Sequence, residues 1–207
     1  MELWQYEQAA MQEGHTLICG CDEAGAGPLA GPVYAAAVIL PFGTEIPGLN
    51  DSKKLTEKKR EALFPVVKEL ASAWAVAWVD ASEIDATDIR SARMKAMQLA
   101  IDALPVQPEF ALIDGNRDHG KTAAIVTPHR CIVKGDSLSA SIAAASILAK
   151  VARDHDLLEL DKQYPQYLFA RHKGYPTKLH VEKLLEHGPC PQHRQSFLKK
   201  IWERNGR

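Results

Sequence analysis

Leu17-Ile18-Cys19-Gly20-Cys21, then Asp22-Glu23-Ala24-Gly25-Ala26-Gly27-Pro28-Leu29-Ala30-Gly31, then Pro32-Val33-Tyr34-Ala35-Ala36-Ala37-Val38-Ile39-Leu40: this stretch decides the architecture. Two apolar runs of strand length flank a connection with three glycines and a proline, so they read as an antiparallel pair of strands. The first run delivers two adjacent carboxylates, Asp22 and Glu23, at its end.

Upstream of these runs, residues 3–13 suit a short helix. Thr56 and the charged stretch after it mark a helix start, with an interruption or kink near Pro65. Ala73–Asp80 alternates as a third strand. Asp88–Leu104 reads as an amphipathic helix with Ile89, Ala92, Ala96, Leu99 and Ala103 near one face. Phe110-Ala111-Leu112-Ile113 is a buried strand ending at Asp114, and Arg130–Val133 is another, ending near Lys134-Gly135-Asp136. From Ser139 a long helix rich in Ala, Ile and Leu has the small side chains needed to lie close on a sheet. The remainder is helical, broken at 164–165, 174–176 and 188–191. Three strands followed by helix, strand, strand and helix predict an α/β fold, a mixed sheet flanked by helices.

A chain of 207 residues with 46% hydrophobic content suits one ordinary domain with a small appendage. Charge is unevenly distributed: residues 1–150 carry 14 Lys/Arg against 19 Asp/Glu, and residues 151–207 carry 11 against 7. A basic C-terminal quarter points to an anionic partner. Cys19, Cys21, Cys131 and Cys190 form no spaced framework, so reduced thiols in a cytoplasmic protein are expected. No apolar run approaches a membrane span. His187 to His193 brackets Cys190, but the spacing fits no zinc motif.

Four carboxylates stand out by position. Asp22 and Glu23 follow the first strand, Asp114 ends a later one, and Asp136 sits in a glycine-containing turn before the long helix. Strand ends are where open α/β sheets place ligands. Adjacent strand residues point to opposite faces, but a strand leaving into a glycine turn is expected to aim both Asp22 and Glu23 at one site. Gathered carboxylates raise one another's pKa unless a cation compensates. Oxygen ligands without sulfur suit magnesium or manganese, and two such ions can activate water and stabilise the leaving oxygen of a phosphodiester.

Cys21-Asp22-Glu23-Ala24-Gly25-Ala26-Gly27-Pro28-Leu29-Ala30-Gly31-Pro32-Val33 resembles the signature loop of the ribonuclease HII family. The resemblance recurs in order through Leu49–Leu55, Ile113-Asp114-Gly115-Asn116, Lys134-Gly135-Asp136-Ser137, Ala144–Asp154, His172–Thr177 and His193-Arg194-Gln195-Ser196-Phe197. It implies a ribonuclease H-like fold with a mixed five-stranded sheet, residues 1–160 forming the catalytic domain and 161–207 a C-terminal helical substrate-binding region. It also implies metal-dependent hydrolysis of RNA in RNA–DNA hybrids, and of single ribonucleotides in duplex DNA. The expected cut lies 5′ to the ribonucleotide and leaves 3′-hydroxyl and 5′-phosphate ends. By the same resemblance Asp22, Glu23, Asp114 and Asp136 are metal-binding and catalytic, with Mg2+ or Mn2+ and two ions during catalysis. Tyr175 takes the place of a tyrosine that packs on the sugar after the ribonucleotide. Lys53 and Lys54 take phosphate-contacting positions, and Gly25, Ala26 and Gly27 the loop that senses the 2′-hydroxyl. A monomer is expected.

One position departs from the family. Its loop usually reads Gly-Arg-Gly, and Ala26 replaces the arginine, which removes a guanidinium that could contact phosphate while keeping the glycine backbone.

Two rival readings frame the expectation. Gly115-Asn116-Arg117-Asp118-His119-Gly120-Lys121-Thr122 fits G-x-x-x-x-G-K-[ST], yet Ala123–Pro128 looks β-like, where a nucleotide-binding loop needs a helix. A non-catalytic nucleic-acid-binding module would gain nothing from four acids that repel phosphate. Trp4, Trp74, Trp78 and Trp202 read as packing residues.

Overall fold

The computed structural model describes residues 2–206. Five strands, β1 (Ile18–Ala24), β2 (Val33–Ile39), β3 (Ala73–Val79), β4 (Phe110–Asp114) and β5 (His129–Ile132), form one mixed sheet in the order β3-β2-β1-β4-β5. The β1–β2 and β2–β3 pairs are antiparallel, and β1–β4 and β4–β5 are parallel. The expected hairpin and mixed sheet are therefore present. The first strand runs farther than its apolar stretch, so Asp22 and Glu23 lie within β1 rather than beyond it.

Helices cover both faces. On one face lie α3 (Ala81–Ala86) and α4 (Ile89–Asp102); on the other, α1 (Gln5–Gln12), α2 (Glu57–Leu70) and α5 (Ala140–Gln163). Strand alternation divides the core accordingly. Cys19, Cys21, Ala111 and Ile113 pack with Ala92, Ala96, Met97 and Ala100 of α4, and Ile18 and Leu112 pack with Ile142 of α5. Between them, Gly20 lies under the start of α5, where an added Cβ would stand 2.2 Å from the Ser141 carbonyl carbon. Only glycine admits so close an approach of helix to sheet.

Caps fix the helix starts. Thr56 Oγ1 accepts from Lys59 N, Asp88 from Arg90 N and Ser91 N, and Ser139 Oγ from Ile142 N. Glu7 of α1, also buried, accepts from Ser139 Oγ at 2.6 Å and Ser141 N at 3.0 Å, binding α1 to the N-terminus of α5. Three expectations need correcting. Pro65 does not interrupt α2, which runs unbroken through it, held to the core by Leu63 and Val67. The buried face of α4 centres on Ala92, Ala96, Met97, Ala100 and Ile101, while Leu99 is 39% exposed. Trp78 is also more open than a packing residue; it stacks on Tyr34 at 5.7 Å on the sheet's edge.

Beyond α5 come α6 (Phe169–His172), α7 (Lys178–His187) and α8 (Gln195–Arg204), with the breaks where proline and glycine predict them. The boundary expected at 160 falls in the last turn of α5. Among the described residues, no helix is long and apolar enough to cross a membrane.

Candidate active site

Asp22 sits on the α5 side of β1, next along that face from Gly20. Asp114, last residue of β4, follows Leu112 on the same face. The parallel register pairs Gly20 with Leu112 and Cys21 with Ile113, so it carries the two aspartates side by side. Asp136 comes from a short 3-10 turn, Gly135–Ser137, that leads into α5. One carboxylate oxygen of each of the three lies within 4.8 Å of the others. Asp22 and Asp136 are almost wholly buried, at 2% and 4% exposure. Gly135 N donates to Asp114 Oδ1 at 2.7 Å and orients it.

Electrostatics follow from the crowding. Burial first, then the charges of Glu23 and Asp114, push Asp22 well above the usual carboxylate range. Burial and Asp114 push Asp136 up to about 6. Lys53 Nζ stands 3.6 Å from Asp136 Oδ2 and partly offsets the repulsion; despite its own desolvation, the surrounding aspartates raise its pKa. Lys54 Nζ donates to Ser137 Oγ at 3.0 Å. Both lysines ride on a turn held from below by Arg60, which donates to the carbonyls of Ser52 and Leu55.

Glu23 lies outside the tight cluster of three, but its charge acts on Asp22, and those of Asp114 and Lys53 act on it. The pleat starts its side chain toward the α4 face, where Arg93 binds Oε1 at 2.5 Å, while the buried Oε2 is left without a hydrogen-bond partner among the described residues. The glycine loop does not override the alternation because β1 stays extended through Ala24. Burial raises the Glu23 pKa in spite of Arg93. Its orphaned Oε2, together with three clustered carboxylates and no sulfur, is a donor set that fits a hard divalent cation.

Gly25, Ala26 and Gly27 directly follow β1, about 10 Å of chain beyond Asp22 at a strand's rise. Tyr175, 40% exposed, stands beside them: a Cβ at Gly27 would lie 3.9 Å from its ring. A histidine chain holds the tyrosine's backbone. Cys190 N donates to His193 Nδ1 at 3.0 Å, which leaves Nε2–H of a neutral His193 to donate to His180 Nε2 at 3.1 Å. His180 Nδ1–H then donates to the Tyr175 carbonyl at 2.9 Å. Burial first lowers both His180 and His193 to about 4, consistent with neutral rings. The His187–His193 segment is thus tied up in structure, and the three aspartates are the only metal-type cluster of three among the described residues.

Sequence reasoning passed over Arg93, Arg153, His180 and Arg194. Arg153 carried a signal, a cation inside an otherwise Ala- and Leu-rich helix, and Arg194 lies in the His193–Phe197 run that resembles the family; Arg93 and His180 carried none. The formal phosphate-loop motif fails on structure. No helix follows Thr122; Gly120 N donates back to Ala123 O, and Gly120 packs against the backbone of Ser91.

The chain is similar to known proteins over nearly its whole length. The family model described as Ribonuclease HII matches residues 19–204. A Ribonuclease HII from Idiomarina loihiensis is 55% identical over 181 residues, 87% of this chain and 95% of that one. One from Vibrio parahaemolyticus is 55% identical over 185 residues, 89% and 86% of the two. The crystal structure of ribonuclease H2 from Pyrococcus horikoshii superposes with a TM-score of 0.73 at 26% identity, covering 91% of this chain and 98% of that one. The chain therefore belongs to the ribonuclease HII family, ribonuclease H endonucleases acting on RNA–DNA hybrids.

Proposed function

We propose that the protein hydrolyses the RNA strand of hybrids and cuts 5′ to single ribonucleotides embedded in duplex DNA, leaving 3′-hydroxyl and 5′-phosphate ends. The observation carrying this reading is the cluster of Asp22, Asp114 and Asp136 within 4.8 Å, one strand-end away from a glycine loop and a half-exposed tyrosine. Asp22, Asp114 and Asp136 would hold magnesium or manganese, two ions during turnover, with Glu23 completing the set through its unpartnered oxygen. Bound there, divalent metal supplies an activated water and charge for the leaving oxygen.

The chain's own residues do the rest. Gly135 N–H and Arg93 hold Asp114 and Glu23 in fixed orientations. Lys53 and Lys54 meet backbone phosphate at the mouth of the cluster. The Gly25-Ala26-Gly27 loop meets the 2′-hydroxyl, the group that separates RNA from DNA, and Tyr175 packs on the following sugar. Residues 161–207, net basic, form the duplex-binding region beside a catalytic domain of residues 1–160. A monomer in the cytoplasm accords with four free thiols, three of them buried.

The test is a labelled duplex carrying one ribonucleotide, incubated with and without magnesium or manganese, the cut mapped to the nucleotide. Cleavage 5′ to the ribonucleotide only with metal is expected. Metal-independent cleavage, or cutting at random positions, would overturn the reading.

A further inference from the structure

Arg153 and Arg194 are among the largest fully buried side chains, each at 0% exposure. Their guanidiniums bind main-chain carbonyls rather than carboxylates. Arg194 donates from Nε to Gly31 O at 2.9 Å, from Nη1 to Ala26 O at 3.1 Å and from Nη2 to Gly25 O at 2.8 Å. Arg153 donates to Pro32 O, Ala30 O and, with both terminal nitrogens, Lys173 O. Gly25 sits on Arg153 at φ +95°, and a Cβ there would stand 2.1 Å from Arg153 Nε. The backbone is stitched in parallel: Leu29 N donates to Gly174 O, Gly31 N to Gln192 O and Arg194 N to Leu29 O, each at 2.8 Å.

The peptide plane turns this into a statement about the loop. Among the described residues no peptide bond is cis, so the C=O and N–H of each unit point in opposite directions. With the carbonyls of Gly25 and Ala26 drawn inward to Arg194, the N–H groups of Ala26 and Gly27 face away from it. From Gly25 to Gly27 the chain rises from buried to exposed. Burial of two like charges side by side is costly, and desolvation together with Arg153 pulls Arg194 down to about 9. Such a pair persists only where the carbonyls are held tightly.

We infer that Arg194 is the positioning residue of the ribonucleotide-sensing loop: from the C-terminal region it fixes the Gly25 and Ala26 carbonyls inward, which aims the Ala26 and Gly27 N–H groups at the 2′-hydroxyl. This rests on the reading of the loop given above and extends it to a residue outside the loop. It also assigns the loop a guanidinium despite Ala26, supplied from beneath rather than from the loop itself. Lysine gathers its donors on one nitrogen and cannot match three carbonyls that are met by three separate nitrogens of a planar fork.

The experiment compares wild type and Arg194→Lys on two matched duplexes, all-DNA and single-ribonucleotide. Affinity is read by fluorescence anisotropy in EDTA, and kcat/KM in magnesium. Loss of the clamp is expected to cut the preference for the ribonucleotide duplex by about 10- to 100-fold, the scale of a charge-assisted hydrogen bond. Affinity for the all-DNA duplex should stay within about twofold, since it does not use the sensor; a purely structural role would weaken both duplexes together. A folded Arg194→Lys protein that discriminates like wild type, or loses both affinities equally, overturns the inference. If Arg194→Lys fails to fold, Phe197→Leu decides: the Phe197 ring lies 5.2 Å from the guanidinium and seats it without touching its hydrogen bonds. A reduced preference in that variant supports the clamp, and an unchanged preference refutes it. Should wild type itself show no preference, the proposed substrate reading fails first and the clamp's role in selectivity falls with it.

Discussion

Lowering the pH from 7.5 to 5.0 should destabilise the C-terminal region through His180 and His193. Both rings are neutral and joined Nε2 to Nε2 at 3.1 Å, one donating and one accepting. Protonation of His180 sets two N–H groups against each other; protonation of His193 breaks its acceptance from Cys190 N. An unfolded histidine titrates near about 6.5, and the folded rings are lowered to about 4 by burial first. The unfolded state thus binds more protons between those values. Stability is whole above the unfolded value and is lost as pH falls through the window. At pH 5 the linkage comes to about 2 kcal/mol for one ring and on the order of 2–4 kcal/mol for the coupled pair. For a chain of this length that is a Tm lower by about 5–15 °C. The raised carboxyls of Asp22 and Asp136 act in the opposite direction, gaining stability as pH falls. The diagnostic quantity is therefore the difference between wild type and His193→Gln, which cannot gain the charge. Thermal melts by circular dichroism across the pH series should show a slope at least halved in the variant. Equal slopes in the two proteins would refute the assignment of neutral, interlocked rings.

Asp114→Asn and Asp136→Asn should each lower kcat by roughly a hundredfold or more, because loss of ligand charge removes several kcal/mol of transition-state stabilisation. In metal-free melts the same variants should match or slightly exceed the wild-type Tm, since a repelling carboxylate is gone. Gly20→Ala should cost about 3 kcal/mol or more in urea unfolding, because its Cβ meets backbone rather than a side chain that can turn away. Tyr175→Ala should reduce cleavage at a single ribonucleotide more than Lys173→Ala, while a salt series should show a shallower affinity slope for Lys173→Ala than for Tyr175→Ala.

Much of this architecture is written in local pattern. The β1–β2 hairpin, the capped starts at Thr56 and Ser139 and the breaks at 164–165, 174–176 and 188–191 follow from strand-length runs, caps and glycine or proline. The position of Asp114 was legible because an apolar run ends there. The orientation of Glu23 was not: its partner, Arg93, lies 70 residues away, and nothing in either segment announces the pairing. The same holds for Arg194, whose three acceptors are contributed by a loop more than 160 residues upstream. Leu99 misled because periodicity locates an apolar stripe without knowing that Met94, Met97 and Ile101 reach the sheet instead.

Gly20 has a bearing on folding beyond the space it leaves. Its neighbours on β1 are Cys19 and Cys21, and both point to the α4 side. A one-residue slip of β1 against β4 would bring a cysteine side chain under Ser141 and exchange the faces of Asp22 and Glu23. The misregistered sheet would lose its acidic cluster and, at the same step, its seat for α5. The gap in the side-chain pattern thus works as a checkpoint: α5 can dock only on a sheet whose acids are already in the right order.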